Sequence, residues 1–344
     1  MRPFIHVVLA LAAVSGASAW AQPAAPSVKG SGATTVTRLY NAWSDTFAAH
    51  SGVDVQYTGT GSGEGVRAVG AREVAFGASD EPVPAQQLKA QGLVQLPTVV
   101  LGLTPVVNLP KIGPGQLRLD GPALSDLFLG RIKTWNDPRL AALNPQLSLP
   151  ALPVVRVVSS SASGSSAAFT HYLAQLAAEW QALAGARPKW PGEVKSAAGT
   201  DAIVQAIQTT PGAIGVISYD RMRRADMTPV LLKNAHGQFV SPSSESMLAA
   251  VKNSGVRDNL SVSLINAKGE GSWPLTTLTY VVLDASAKSP ATIDAMRFFS
   301  WALRDGDKTV RAVGFLPLPP NVQAAAFATL SAIRTPQGAS VKLQ

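Results

Sequence analysis

The apolar residues of the chain recur with two spacings, one typical of amphipathic helices and the other of buried strands. One predicted helix carries five apolar residues on a single face: Val36, Leu39, Tyr40, Trp43 and Phe47. Residues 53–57 alternate between apolar and polar side chains, as in a half-buried strand. Because strand-like and helix-like segments alternate along the chain, the pattern predicts an α/β fold.

Further apolar runs extend this alternation into the C-terminal part of the sequence. They predict strands and helices as follows: strands over 74–77, 99–107, 213–217 and 278–283, and helices over 168–176 and 293–303. Gly102 and Pro105 interrupt the longest of the predicted strands. A chain of 344 residues, of which 46% are hydrophobic, has room for one large or two mid-sized domains.

The first 21 residues have the organisation of a secretory signal peptide. Arg2 precedes an apolar stretch over 4–14, and Ala19-Trp20-Ala21 offers a cleavage site with small residues. We therefore expect cleavage near Ala21 and an exported mature chain that begins at Gln22. The apolar stretch is too short to span a hydrocarbon core of about 30 Å, which argues against an integral membrane protein.

Composition and charge exclude several kinds of chemistry. The sequence has no cysteine, which rules out disulfides, zinc–thiolate sites, iron–sulfur clusters and a cysteine nucleophile. Its four histidines do not have the i, i+4 spacing of a helical metal site, so we expect no metal and no cofactor. The net charge of +8 suits either an anionic ligand or a generally basic surface. No long lysine and arginine cluster predicts nucleic-acid binding.

Three segments place glycine and hydroxyl residues immediately before a predicted helix, at 30–35, 59–63 and 159–166. Free N–H groups and the helix dipole attract anions to a helix N-terminus, and glycine lets the backbone approach a ligand closely. Each segment also has the composition of an ordinary N-cap. The pattern alone therefore leaves both an anion site and simple helix capping open.

The same segments give little support to nucleotide binding or to serine hydrolysis. Glu64 and Val66 stand where a dinucleotide fingerprint requires glycine. The segment 61–63 does not have the spacing of a nucleophile elbow, and no histidine has the context of a catalytic base. We therefore expect that the protein is not an enzyme, and a secreted hydrolase is only a distant alternative.

A series of short motifs follows in a characteristic order. The most specific is the run Phe-Leu-Gly-Arg-Ile-Lys-Thr-Trp-Asn-Asp-Pro over 128–138. Others lie at 30–34, 57–63, 76–80, 95–97, 105–109, 143–145, 169–173, 189–191 and 211–215. Together they resemble the periplasmic phosphate-binding subunits of bacterial phosphate ABC transporters, over nearly the whole mature chain.

This resemblance implies an α/β, two-lobed type II periplasmic-binding-protein fold with the ligand in the cleft between the lobes. Residues 26–102 and 276–344 would form one lobe, and residues 103–275 the other. Two hinge crossovers are expected, near 100–108 and near 273–277. The implied function is the capture of inorganic phosphate or a related oxyanion in the periplasm, by a monomer, for a membrane ABC permease.

The resemblance also implies a set of ligand-binding residues: Thr34, Thr35, Ser62, Asp80, Ser159, Ser163, Gly164 and Ser165. Asp80 matches the aspartate that accepts a hydrogen bond from protonated phosphate. The segment 163–165 matches a Ser-Gly-Thr group of neutral donors, with serine in place of threonine. Trp135 and Trp190 belong to family motifs that have no ligand role, so we expect both to be structural.

The chain departs from the family pattern before the third helix. Ser159 stands in place of the site arginine, and Ser161 in place of its aspartate partner. Arg156 is expected to point to the opposite face of a strand and to be a poor substitute. Thr35 stands where the family often has phenylalanine. Weaker phosphate binding is expected unless Arg38 or another cation reaches the site. The same scaffold with another small ligand, in a sensory or secretory role, stays an alternative.

Overall fold

The computed structural model describes residues 27–256 and 259–343, so the predicted signal peptide and its cleavage site lie outside the described residues. The strands are β1 (Ser27–Gly32), β2 (Asp54–Gly59), β3 (Phe76–Ser79), β4 (Leu93–Asn108), β5 (Arg118–Leu119), β6 (Val155–Ser159), β7 (Lys195–Ala197), β8 (Ala213–Ser218), β9 (Thr228–Pro229), β10 (Leu231–Lys233), β11 (Phe239–Val240) and β12 (Thr276–Asp284).

The helices are α1 (Thr37–Ser51), α2 (Ser62–Gly70), α3 (Ala85–Gln91), α4 (Gly121–Leu129), α5 (Pro138–Leu143), α6 (Gly164–Ala174), α7 (Gly199–Gln208), α8 (Tyr219–Arg224), α9 (Ser244–Asn253), α10 (Pro290–Asp305), α11 (Asp307–Ala312) and α12 (Pro320–Ser331). A short 3-10 helix, Ala178–Ala182, follows α6. No helix in the described part of the chain is both long and apolar enough to cross a bilayer.

One sheet of nine strands runs through the molecule in the order β2-β1-β3-β12-β4-β8-β6-β7, with β9 also beside β4. In one half, β1 pairs in parallel with β2 and β3, and β12 runs antiparallel to β3 and β4. In the other half, β8 runs antiparallel to β4 and parallel to β6. We call the half with β1, β2, β3 and β12 the first lobe, and the half with β6, β7 and β8 the second lobe.

The long strand β4 links the two lobes. It pairs with β12 up to Gly102 and with β8 from Leu103 onward. The return crossing of the chain lies directly beside it, because the Leu103 N–H donates to the carbonyl of Leu275 at 2.8 Å. Trp273 Nε1 donates to the carbonyl of Leu103 at 2.8 Å. The two crossings are therefore tied together at one point of β4.

Aromatic packing holds the first lobe together. Tyr40 and Trp43 on α1 stack at 5.4 Å between ring centroids, and Phe76 on β3 meets Phe299 on α10 edge to face at 5.0 Å. The apolar face predicted for α1 is buried as expected, at Leu39, Tyr40, Trp43 and Phe47. In the second lobe, buried Trp135 donates from Nε1 to the carbonyl of Gly212 at 2.9 Å, which agrees with its expected structural role.

Two predicted boundaries differ from the structure. The strand predicted over 99–107 is part of the longer β4, which continues through Gly102 and Pro105. Proline removes one donor from the ladder, but the Pro105 carbonyl still accepts from the N–H of Val230 at 3.2 Å. The helical stripe predicted to reach Leu176 ends with α6, and Leu176 is 37% exposed.

Candidate functional site

A small cavity of about 50 Å³ lies between the two lobes. Hydroxyl side chains from both lobes form part of its wall, and apolar side chains such as Phe128, Phe169 and Trp190 form another part. None of the described residues that line it is charged. Five of the predicted ligand-binding residues line it: Thr34, Thr35, Ser159, Ser163 and Ser165. The cavity suits a small polar ligand whose charge is met by neutral hydroxyl donors.

The three glycine and hydroxyl segments lie at the starts of α1, α2 and α6, as predicted. Ser163 is the N-cap of α6, and its Oγ accepts from the N–H of Ser166 at 3.4 Å. Capping therefore accounts for part of the third segment. The N-cap residues of α1 and α2, Val36 and Gly61, provide no side-chain acceptor. The first N–H of α1, that of Thr37, donates to the carbonyl of Thr34 at 3.4 Å. The other N–H groups in the first turn of each helix are open to water or an anion.

Asp80 follows β3 and is fully buried beside the cavity. The Thr35 hydroxyl donates to both of its carboxylate oxygens, at 2.7 and 2.9 Å. Thr279 donates to Oδ1 at 2.9 Å, and Ser165 donates to Oδ2 at 3.3 Å. Burial raises the pKa of Asp80 to about 6, against a smaller lowering by these three hydroxyls. Asp80 forms no ion pair with any residue that the structure describes.

Asp80 lies behind the cavity wall, not on it. Thr35 and Ser165 bond to its carboxylate and also line the cavity. The Thr35 hydroxyl has one hydrogen, which it gives to Asp80, so its oxygen presents only acceptor lone pairs to the cavity. Because the buried carboxylate holds the Thr35 hydrogen, the Thr35 oxygen is a hydrogen-bond acceptor on the cavity wall.

Ser62 and Gly164 also lie behind the wall, where the two lobes touch. Ser62 Oγ accepts from the Asp80 N–H at 3.2 Å. A Cβ on Gly164 would lie 2.2 Å from Ser62 Oγ, and a Cβ on Gly61 would lie 2.4 Å from the carbonyl of Ala162. Gly61 also has a φ of +98°, which favours glycine. Both glycines are therefore needed for this close approach of the lobes.

A second contact between the lobes lies at the edge of the cleft. His171 Nδ1 on α6 lies 2.9 Å from Glu81 Oε1, which follows β3 in the first lobe. The hydrogen bond to Glu81 raises the pKa of His171. The protonated imidazole therefore pairs with the carboxylate across the cleft.

Serines occupy the positions where the family has its charged pair. Ser159 and Ser161 both line the cavity, and Ser159 Oγ donates to the carbonyl of Ser161 at 3.1 Å. The guanidinium of Arg156 is directed elsewhere, as expected. It donates to the carbonyls of Phe128, Pro191 and Glu193 at 2.6–2.7 Å. Arg156 therefore does not replace the missing arginine.

Several residues of the site were not predicted. Thr279 bonds to Asp80, and its signal in the sequence is a threonine between apolar residues, Leu278 and Tyr280, in β12. Thr200 and Ser218 line the cavity but lie in segments without a motif. Trp190, expected to be structural, packs edge to face against Trp180 with 5.8 Å between ring centroids, and it also lines the cavity. Its position on the wall follows only from the folded arrangement of the second lobe.

Comparison with known proteins agrees with this fold. The profile of the PBP superfamily domain matches residues 17–305. The phosphate-binding protein PstS of Xylella fastidiosa (strain Temecula1) is 36% identical over 300 residues, which cover 86% of this chain and 82% of that protein. The phosphate-binding protein PstS of Haemophilus influenzae is 36% identical over 304 residues, covering 87% of this chain and 90% of that protein.

Solved structures show the same architecture. A high affinity periplasmic phosphate-binding protein (PfluDING) bound with phosphate superposes with a TM-score of 0.68 at 21% identity, covering 88% of this chain and 93% of that one. A phosphate binding protein from Stenotrophomonas maltophilia gives a TM-score of 0.67 at 20% identity, covering 93% and 97%. The fold is therefore the two-lobed α/β fold of type II periplasmic binding proteins. Together with the match over most of the sequence, it shows that the chain belongs to the PstS family of the PBP superfamily.

Proposed function

We propose that the protein captures inorganic phosphate, or a closely related oxyanion, in the periplasm and delivers it to a membrane ABC permease. Asp80 is the observation that carries this proposal. A buried carboxylate without a cation partner is costly to the fold, and such groups concentrate at functional sites. The relatives are named as phosphate-binding proteins, in agreement with the expectation that the chain is not an enzyme.

The proposed selectivity rests on the proton that phosphate carries at neutral pH. Hydrogen phosphate has an O–H group that can donate to the acceptor presented by Thr35, whose own hydrogen is held by Asp80. Sulfate has no hydrogen to donate at this pH, so its oxygen would face an acceptor lone pair. Sites built around a buried polar partner reject an analogue that lacks the matching group by up to about 10⁴-fold.

The other predicted site residues have supporting roles in this proposal. The hydroxyls of Thr34 and Ser163 would donate to the remaining phosphate oxygens, as would the N–H groups at the helix starts. Asp80 also holds the hydroxyl hydrogen of Ser165, so the Ser165 oxygen would be a second acceptor on the wall. Ser62 and Gly164 would hold the lobes together behind the anion, through their close contact. Ser159 would contribute a hydroxyl where the family has arginine.

The lobe boundaries and hinges are also part of this proposal. Residues 26–102 with 276–344 would move as one body, and residues 103–275 as the other. The change of partner along β4 at Gly102 and Leu103 supports this division, as does the adjacent crossing at Leu275. Ligand would enter the open cleft and favour its closure around the two crossings.

The proposed location is the periplasm, after removal of residues 1–21. The proposed form is a monomer that binds no nucleic acid. N-terminal sequencing of the exported protein tests the first point, and Gln22 is the expected first residue. A mature protein that begins at Met1 would contradict the signal-peptide proposal.

Calorimetric titration of the mature protein tests the ligand proposal. Phosphate, arsenate, sulfate and small organic anions are titrated separately into protein freed of bound anions. Saturable binding of phosphate, with much weaker binding of sulfate, is the expected result. Tight binding of an organic anion without phosphate binding would favour the alternative, in which the same scaffold serves another small ligand.

A further inference from the structure

Among the described residues that line the cavity, no positively charged side chain meets the negative charge of the proposed ligand. No charged residue lies on the described wall of the central cavity, and the arginine position is occupied by Ser159. An anion taken out of water into such a cavity is stabilised by donors alone, unless a cation approaches from a neighbouring element. The candidates for such a cation are the charged residues that lie next to the cavity.

A second pocket between the lobes, of about 330 Å³, adjoins the cavity and shares four of its lining residues: Thr34, Thr35, Thr200 and Ser218. We call it the arginine pocket, because its remaining described lining contains three arginines, together with a threonine and two aspartates: Arg38, Arg221, Arg224, Thr37, Asp201 and Asp220. The shared residues belong to both lobes. The cavity and the arginine pocket therefore have these four residues as a common wall.

Arg221 on α8 has hydrogen-bonding capacity that the described protein does not use. It pairs with Asp201 on α7, but its Nε is buried and has no hydrogen-bond partner among the described residues. Buried polar atoms without a partner are rare and indicate a water or a ligand that completes them. Asp201 is 87% exposed, so solvent screens its charge and the charge of Arg221 is only partly neutralised by the pair.

The other two arginines of this pocket are less suited to the role. Arg224 donates to buried Asp220 at 2.9 Å, so its charge is already matched by a carboxylate inside the protein. Arg38 is exposed on α1, where water stabilises its charge. Arg221 combines an unused buried N–H with an aspartate partner, the same two residue types that the family places at the positions of Ser159 and Ser161.

We propose that Arg221, oriented by Asp201, supplies the cation that meets the bound phosphate, in place of the arginine and aspartate lost at Ser159 and Ser161. This inference rests on the proposed function and adds a residue from a different element to the same site. In this protein the charged pair would lie on α7 and α8, and not in the segment before α6 as in the family. The guanidinium would approach the anion from the side of Thr34, Thr35 and Ser218, which line both the cavity and the arginine pocket.

Titration calorimetry with inorganic phosphate on the mature protein tests this assignment. Arg221→Ala is expected to lower phosphate affinity about 10- to 100-fold, the effect of removing a charge-assisted hydrogen bond. Arg221→Lys keeps the charge but loses the planar fork, so an intermediate loss is expected. Arg223→Ala is the matched control on the same helix, because Arg223 is exposed and lines neither the cavity nor the arginine pocket, and it should change affinity by less than about 3-fold. Thermal unfolding midpoints check that each variant is folded.

A second arm uses the positions at which the family has its own charged pair. In protein that carries Ser159→Arg and Ser161→Asp, Arg221→Ala should cost much less affinity, because another cation then faces the anion. A loss as large as in the wild-type background would overturn the assignment.

Other outcomes separate this inference from the function on which it rests. A folded Arg221→Ala protein that binds phosphate like the wild type overturns the role of Arg221 and leaves the proposed function standing. Equal losses for Arg221→Ala and Arg223→Ala also overturn it, because they indicate a general effect of surface charge. Wild-type protein that binds no phosphate overturns both proposals.

Discussion

Asp80→Asn should stabilise the unliganded protein at neutral pH. Burial raises the pKa of Asp80 from its ordinary value of 3.8 to about 6, because its carboxylate is surrounded by hydroxyls and not by cations. At 1.36 kcal/mol per pKa unit, this difference destabilises the folded state by about 3 kcal/mol when the group is ionised. Asparagine keeps the shape and removes the buried charge, so a gain of about 1–3 kcal/mol is expected.

The gain in stability from Asp80→Asn should depend on pH. A carboxyl group whose folded pKa is raised favours the fold below its unfolded pKa and loses that advantage as pH rises through its folded pKa. The advantage of Asp80→Asn should therefore be largest above pH 6, shrink between pH 6 and 4, and vanish below about 3.8. Urea denaturation at several pH values, in buffers free of phosphate and sulfate, measures this difference.

Asp284→Asn is a matched control for this experiment. Asp284 is also buried, but it lies 2.9 Å from the guanidinium Nε of Arg72. Its replacement removes an ion pair and should destabilise the protein at pH 7 or leave it unchanged. If Asp80→Asn instead destabilises the protein by more than about 1 kcal/mol at pH 7, the reasoning that desolvation dominates at Asp80 is wrong. A confirmed gain in stability for Asp80→Asn would show that Asp80 destabilises the unliganded fold. Weaker discrimination against sulfate in the same variant would show that Asp80 serves ligand selectivity.

Three further predictions test other parts of the structure. Gly164→Ala should weaken phosphate binding at least 10-fold by obstructing closure of the lobes, measured by calorimetry, whereas Gly63→Ala, which meets nothing within 4 Å, should not. Trp135→Ala should lower the free energy of unfolding by about 3–5 kcal/mol in urea, and unchanged stability with lost binding would contradict its structural role. Glu81→Gln should destabilise the protein at pH 5.5 and have a smaller effect as pH rises above 6.5, because the raised pKa of His171 makes this pair strongest when the imidazole is protonated. A pH-independent difference in unfolding midpoint would contradict this account of the pair.

Much of the fold could be predicted from the sequence because its signals are local. The apolar face of α1 and the short runs that became β8 and β12 depend on periodicity within a few residues. The ends of elements were less predictable. β4 continues through Gly102 and Pro105 because tertiary partners on both sides maintain it, and α6 ends before Leu176.

The site was only partly predictable for a different reason. Motifs at the helix starts predicted Thr34, Ser163 and Ser165 as ligand-binding residues, and these three lie on the cavity wall. Motifs do not show which side chain stands in front of another, so Asp80 was expected to face the ligand directly. Thr35 stands in front of it because threonine, at a position where the family often has phenylalanine, is short enough to turn its hydroxyl onto the carboxylate.

The position of Arg221 beside the cavity could not be predicted for a related reason. Arg221 lies more than 50 residues after the third glycine and hydroxyl segment, in a short helix without a motif. Only the packing of α8 against β4 and β8 brings it beside Thr34 and Ser218. Long-range placement of this kind is a property of the folded lobes, which the residue pattern around Arg221 does not encode locally.

A crystal structure of the mature protein grown with phosphate tests the central claim most directly. We predict one tetrahedral anion in the cavity between the lobes, within hydrogen-bonding distance of Thr34, Thr35 and Ser165. One of its oxygens should face the Thr35 oxygen, and the Arg221 guanidinium should approach the anion from the arginine pocket, past Thr34 and Ser218. An empty cavity at saturating phosphate, or an anion bound only outside the hydroxyl wall, would contradict the account.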